Sequence, residues 1–236
     1  PAKEKFMNDP AAAYDIKLKV DIGPKTRQGH NVVGYIDNGA PGTIVLGAHF
    51  DHLGYGEDGN SMVRGGEKQI HNGADDNASG TAALMELARL MKKTKSPGSN
   101  FLFIAFSGEE LGLYGSKYYV ENPTIALSKV NYMINMDMVG RLNDSTKTIT
   151  IGGFGTSPAW NEILYGVKKP GFNIKIDSSG SGPSDHTSFY RKDIPVLFFF
   201  TGLHTDYHRP SYDAPKINYL GELQIVKYIQ AVIEKS

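Results

Sequence analysis

The stretch Thr43-Ile44-Val45-Leu46-Gly47-Ala48-His49-Phe50-Asp51 decides the fold. Thr43 to Ala48 is an apolar, β-rich run that follows the turn Asn38-Gly39-Ala40-Pro41-Gly42, as a buried strand would. It ends on a histidine, with a carboxylate two residues on. The pattern then recurs. Phe101–Phe106 reads as a second buried strand and leads into Glu109-Glu110. Val130–Met136 reads as another and leads into Asp137, and Pro195–Phe200 precedes a loop that carries His208.

Helical spacing fills the intervals. Leu84, Leu87, Ala88 and Met91 recur at helical spacing and predict a helix over 80–93, with Ser79 as its cap. Shorter helices are expected over 109–120 and 158–167, and a closing one over 219–234. Weaker strands are expected at 148–151 and 172–176. Two more, Ile16–Ile22 and His30–Ile36, would pair antiparallel at an edge. Strands that alternate with helices imply a largely parallel sheet covered on both faces. Residues 54–72 form a Gly-rich stretch without periodicity, and a loop that long in a compact domain is usually functional. One catalytic domain over 1–236 is expected, with residues 1–13 as a linker or the remnant of an upstream segment.

The composition narrows the function. With 236 residues, 40% hydrophobic and 11% aromatic, a sizeable core can form. Lys+Arg and Asp+Glu each number 25 and no basic stripe stands out, which argues against nucleic acid as a partner. No apolar run approaches a membrane span. The absence of cysteine excludes disulfides, thiolate ligands and a cysteine nucleophile. Any metal must therefore be held by His, Asp and Glu. The start at Pro1 points to a removed leader or to a fragment.

His49, Asp76, Glu110, Asp137 and His208 are five such ligands, each at the end of an apolar segment or the mouth of a helix. In open α/β sheets, ligands bind outside the carboxyl ends of the strands. Singly, each residue has a plain structural explanation. His49 fits a buried histidine, and Asp75-Asp76 and Glu109-Glu110 fit helix starts, where acids are favoured. Asp137 is harder to explain, because an unpaired acid after a buried strand is costly. Together the five suit a pair of divalent metals that share one carboxylate, as in a metallohydrolase.

Six motifs occur in order: Gly-Ala-His49-Phe-Asp51, Gly-Ala-Asp-Asp76-Asn-Ala-Ser-Gly, Ser-Gly-Glu109-Glu110-Leu-Gly, Met-Asp137-Met-Val-Gly, Ser184-Asp-His-Thr-Ser-Phe and Tyr207-His208. The ordered set resembles the dizinc aminopeptidases of the M28 peptidase family, from about His49 to about Tyr219. The resemblance implies a three-layer α/β/α sandwich with a central mixed, mostly parallel sheet, and two zinc ions per chain. It implies that Asp76 bridges them, with His49 and Asp137 completing one site and Glu110 and His208 the other. Glu109 would be the general base and Tyr207 a donor to the oxyanion. Asp51 would accept the second ring N–H of His49, and the peptide after Asp76 would be cis. The implied substrate is a peptide with a free N-terminus, and the implied location is secreted or periplasmic.

Alternatives remain at this level. A carboxypeptidase, dipeptidase or other amidohydrolase on the same scaffold would need a basic residue for the substrate carboxylate, and Arg64, Arg141, Arg191 and Arg209 are the candidates. A glutaminyl-cyclase-like transferase would work with one zinc, and a receptor-like binding domain with none. His204 and His208 cannot be separated by spacing; the resemblance chooses His208. His52 and His71 read as polar loop groups, Asp185 and His186 as structural, and Ser184 lacks the setting of a nucleophile. Family members often read His-x-Pro-x-Asp-Thr where this chain has His208-Arg-Pro-Ser-Tyr212-Asp213, so Tyr212 stands where an Asp is usual. Loop 54–72, Ser178–Pro183 and Phe198–Leu203 are expected to shape the substrate pocket, with a mild preference for an apolar first residue.

Overall fold

The computed structural model describes residues 17–20, 23, 26–65, 68–94, 98–168 and 171–236. Among the described residues, seven strands form one sheet: β1 Val32–Ile36, β2 Thr43–His49, β3 Asn100–Phe106, β4 Val130–Met136, β5 Thr148–Gly152, β6 Asn173–Ile176 and β7 Val196–Phe200. Their order across the sheet is β1-β3-β2-β4-β7-β5-β6. The central run β3-β2-β4-β7 is parallel, β5 and β6 are parallel to each other, and antiparallel pairings occur at β1–β3 and β5–β7. The sheet is mixed and mostly parallel.

Side-chain alternation on the central strands builds the layers. Ile44 and Leu46 of β2, with Phe101 and Phe103 of β3, face one way. They meet α1 (Gly80–Met91) through Ala83, Leu84, Leu87 and Met91. Trp160 and Leu164 of α3 (Ala159–Gly166) and Ile225, Ile229 and Val232 of α5 (Tyr219–Lys235) cover the same face. Val45, Leu102, Ile104 and Phe106 face the other way, onto Tyr119 and Val120 of α2 (Tyr114–Glu121) and Phe189 of α4 (His186–Tyr190). The result is the expected three-layer sandwich. Leu87 is fully buried, and truncating such a side chain to alanine costs about 2–5 kcal/mol. Among the described residues, no helix is long and apolar enough to cross a membrane.

Four expectations need correction. Of the expected Ile16–Ile22 strand, residues 16, 21 and 22 lie outside the described residues, and 17–20 carry no strand. The antiparallel partner of β1 is β3, with Val32 opposite Ala105 and Ile36 opposite Phe101. The helix expected from Glu109 starts at Tyr114. The N–H groups of Glu109 and Glu110 instead go to the Asp51 carboxylate, at 3.1 and 3.3 Å, and Leu113 holds a positive φ of 62°. Ser79 does not cap α1: its hydroxyl donates to the carbonyl and carboxylate of Asp75, at 2.7 and 2.8 Å. The Gly80 N–H is taken by Asn77 Oδ1 at 2.9 Å. The short α4 was not expected, because five residues are too few to show a helical period.

Candidate metal centre

The sheet order explains why residues remote in sequence converge. Glu109-Glu110, His49, Asp137 and the His208 loop follow β3, β2, β4 and β7 in turn, which are adjacent and parallel. All therefore leave the same edge of the sheet. Asp76 reaches that edge from the opposite direction, in the irregular segment Ala74–Ser79 that precedes α1. The Asp76–Asn77 peptide is cis, as the resemblance implied.

Two glycines and one asparagine shape that segment. Gly73 has φ +61°, and a Cβ there would collide with His52 and the Asp76 carbonyl. A Cβ on Gly80 would strike Asn77 and the Met136 carbonyl oxygen. Asn77 lies in that narrow gap, donating to Met136 O at 2.9 Å and accepting from Met138 N at 3.2 Å. The Asp76 turn is thus fastened to the end of β4, where Asp137 begins.

Asp76 presents one oxygen to each of two histidines. Oδ1 lies 3.3 Å from His49 Nε2, and Oδ2 lies 3.3 Å from His208 Nε2. Asp137 Oδ1 is 3.4 Å from His49 Nε2, and Glu110 Oε2 is 3.2 Å from His208 Nε2. Glu109 Oε2 stands back at 4.0 Å from His49. Each histidine is oriented through its other nitrogen. His49 Nδ1 donates to the main-chain oxygen of Asp51 at 3.1 Å, with the Asp51 carboxylate at 3.7 Å. His208 Nδ1 donates to Asn60 O at 2.9 Å. Both Nε2 atoms therefore face the carboxylates.

Several expectations resolve at this scale. Asp51 meets His49 mainly through its carbonyl, while its carboxylate organises the Glu109-Glu110 turn. His204 Nε2 bonds the Tyr212 hydroxyl at 2.6 Å and lies 3.5 Å from Asp75 Oδ2. Ser184 donates to Asp137 Oδ2 and accepts from Asn135 Nδ2, both at 2.8 Å, so it orients an acid. Asp185 and His186 are buried beside the centre, and His186 stacks on Phe198 with centroids 4.3 Å apart. His71 is a loop group bonded to Ser61. His52 departs from the reading as a loop group: its Nδ1 is 2.7 Å from Glu110 Oε1. The spacing His49-x-x-His52 was the only sequence signal for it. Tyr207 stacks on His208, with centroids 3.8 Å apart.

The electrostatics reflect crowded acids. Burial pushes Glu109 up to about 9; His49 opposes this, and Asp137, Asp185 and Glu110 add to it. Burial also raises Asp137, with His49 pulling against it. Burial works against charge on Asp76, yet the nearby imidazoles of His208 and His49 hold it below the usual carboxylate range. His208 rises to about 10 because Asp76 and Glu110 outweigh its desolvation. Burial and then the surrounding carboxylates push the Tyr207 phenol up.

Buried polar atoms test whether a cation fits. Among the described residues, His49 Nε2, His208 Nε2 and Asp137 Oδ1 have no hydrogen-bond partner, and buried polar atoms are rarely left so. Ligand-type atoms of His49, Asp76 and Asp137 lie within 4.8 Å of one another, as do those of His52, Asp76 and Glu110. Neutral imidazole nitrogens and carboxylate oxygens around a shared acid are a donor set for divalent metals. The residues fit divalent metal, zinc included.

Residues 31–233 match the family described as Peptidase family M28. The chain belongs to peptidase family M28. Within this family it is similar to leupeptin-inactivating enzyme 1 of Streptomyces exfoliatus, 30% identical over 197 residues, or 80% of this chain and 39% of that protein. It is also similar to aminopeptidase YwaD of Bacillus subtilis, 29% identical over 75% of this chain and 36% of that protein. Among solved structures, a zinc aminopeptidase from Bacillus subtilis matches with a TM-score of 0.70 and 25% identity, over 86% of this chain and 49% of that one. This M28 chain spans less than half the length of each of these three relatives.

Proposed function

We propose that this M28 chain is a two-zinc aminopeptidase that removes the N-terminal residue of peptides. The observation that carries the reading is Asp76, which offers one oxygen to each of two histidines, while Asp137 and Glu110 each face one of the same Nε2 atoms. Asp76 would bridge the ions, His49 and Asp137 would complete one site, and Glu110 and His208 the other. The names of the relatives support zinc and aminopeptidase chemistry, and the donor set is compatible with both. When bound, the ions supply Lewis acidity, polarising the scissile carbonyl and acidifying the attacking water.

The chain's own groups do the remainder. Asp51 and Asn60 accept the Nδ1 protons of His49 and His208, which fixes both tautomers. Ser184 holds Asp137, and His52 holds Glu110 through the oxygen turned away from His208. Glu109 is close to the ligands but one step behind them. Its carboxylate, ionised once bound cations would offset the neighbouring acids, takes the proton of the attacking water and delivers it to the leaving amine nitrogen. Tyr207, kept protonated by burial and nearby acids, donates its hydroxyl to the developing oxyanion.

The test pairs elemental analysis with hydrolysis of a panel of aminoacyl-anilides, with and without chelator. About two zinc per chain and chelator-sensitive release of the N-terminal residue are expected. Two zinc without that release would turn the reading toward a carboxypeptidase or another amidohydrolase, and a chain that takes up no zinc would sink it. The same reading expects a secreted or periplasmic enzyme, and activity confined to the cytoplasmic fraction would contradict that.

A further inference from the structure

Tyr212 occupies the position where the family motif usually carries an aspartate, and it is not a surface substitution. It is fully buried, as is Asp75. Its hydroxyl lies 2.6 Å from His204 Nε2 and 3.5 Å from Asp75 Oδ2. The direction of these bonds can be read. His204 Nδ1 accepts the Asp206 N–H at 3.2 Å, so the ring proton of neutral His204 sits on Nε2. Nε2 then donates to the Tyr212 oxygen, which leaves the phenolic hydrogen to face Asp75. Burial and the charge of Asp75 keep that phenol protonated.

The far side of Asp75 is fixed. Its Oδ1 accepts from Gly140 N at 2.6 Å and from Ser79 Oγ at 2.8 Å. Main-chain contact reinforces the link, with Ala74 N donating to Tyr212 O at 3.1 Å. The Tyr212 ring also packs edge-on against His52, centroids 6.2 Å apart, and His52 holds Glu110. The other end of the loop is tied by Asp206, which Lys216, Ser211 and Arg141 hold at 2.6, 2.7 and 3.2 Å. His208 lies between these two anchorages. Asp213 cannot take over the inner one, because its carboxylate is engaged by Asn72 at 2.6 Å.

We propose that the His204–Tyr212–Asp75 relay is a lock that seats the 204–213 loop on the segment carrying Asp76, and so sets His208 against Asp76 and Glu110. This rests on the two-zinc reading above. Tyr212 is a positioning residue: it acts on the His208 half of the centre through the backbone on either side and leaves the His49–Asp137 half untouched. The substitution at the usual aspartate therefore replaces one tether with another and does not abolish the second zinc site.

Tyr212→Phe keeps the ring volume and removes only the hydroxyl. Calorimetric titration of the metal-free protein with zinc is expected to show two events in the parent chain. In the variant one event is expected to weaken by about 10–100-fold, the usual consequence of losing a group that orients a ligand, and the other to stay unchanged. His204→Phe should weaken the same event, and the double variant should lose less than the sum of the two, because both side chains belong to one network in which His204 Nε2 also lies 3.5 Å from Asp75 Oδ2. Hydrogen exchange of the 204–213 amides, measured without metal, separates this lock from the metal reading. Faster exchange in Tyr212→Phe supports the lock whether or not zinc binds. A parent chain that binds fewer than two zinc ions would sink the two-metal reading alone. Unchanged exchange, or two zinc events of unchanged affinity in the variant, would overturn the lock.

Discussion

The two halves of the centre are built differently. His49 is the last residue of β2 and Asp137 the first after β4, and these strands pair directly in the middle of the sheet. Ladder hydrogen bonds and a packed core on both faces fix these two side chains before any metal arrives. His208 and Glu110 sit on loops. His208 has a φ of 53° and is held by Asn60 O, by Met62 N and by the Tyr212 relay. Glu110 is held by the Asp51 carboxylate and His52. Local stability falls where contacts are few and backbone is exposed. One half is therefore preorganised by the fold, and the other by a handful of side-chain bonds.

Asp76 is the residue common to both, so its removal should erase the difference. Asp76→Ala is expected to lose both zinc ions and all measurable turnover, read by elemental analysis after gel filtration. A variant that kept one ion would show that one half stands alone, and would make the bridging role wrong. Glu109→Gln should be the next largest effect and should leave the comparison intact. It keeps the side-chain shape, so both ions should stay while kcat falls by about 10²–10⁴-fold, the range for a lost general base. Loss of zinc from that variant would move Glu109 among the ligands.

The same contrast governs what the sequence could disclose. The strand-end half was legible because local rules determine it. An apolar run that terminates on His49 or Asp137 has one reading as a strand and one place where its last polar residue can emerge. The loop half became legible only through the ordered motifs, since nothing local separates His208 from His204. In the structure His208 bonds the main-chain oxygen of Asn60, 148 residues away in sequence, while His204 bonds the Tyr212 hydroxyl. His52 was missed for the same reason: a histidine ahead of a Gly-rich loop has no period to mark it, and its partner Glu110 is 58 residues away. The delayed start of α2 was invisible because the Glu109 and Glu110 amides are claimed by Asp51, a tertiary contact that overrides helix propensity. The antiparallel pairings of β1 and β5 are likewise set by neighbours across the sheet and not by the strands' own residues.

The smallest effect gives the sharpest comparison, because it sets one hydroxyl against another. Ser184 donates to Asp137 within a buried chain that includes Asn135. Ser184→Ala would leave both partners short of a bond where water cannot replace it. Zinc affinity at the His49–Asp137 half should then fall by about 10–100-fold. Ser61 plays the matching part in the loop half, bonding His71 Nε2 at 2.8 Å and Val63 N at 3.1 Å, and so folding the segment that carries Asn60. Ser61 is only half-buried, and Met62 N still reaches His208 O at 2.9 Å without it. Ser61→Ala should therefore cost no more than about tenfold, at the His208–Glu110 half alone. Competition titration with a zinc indicator resolves the two. Equal losses, or a larger one for Ser61→Ala, would mean that the loop half depends on fewer bonds than the geometry indicates, and that rigidity at the strand ends is not what sets affinity in this centre.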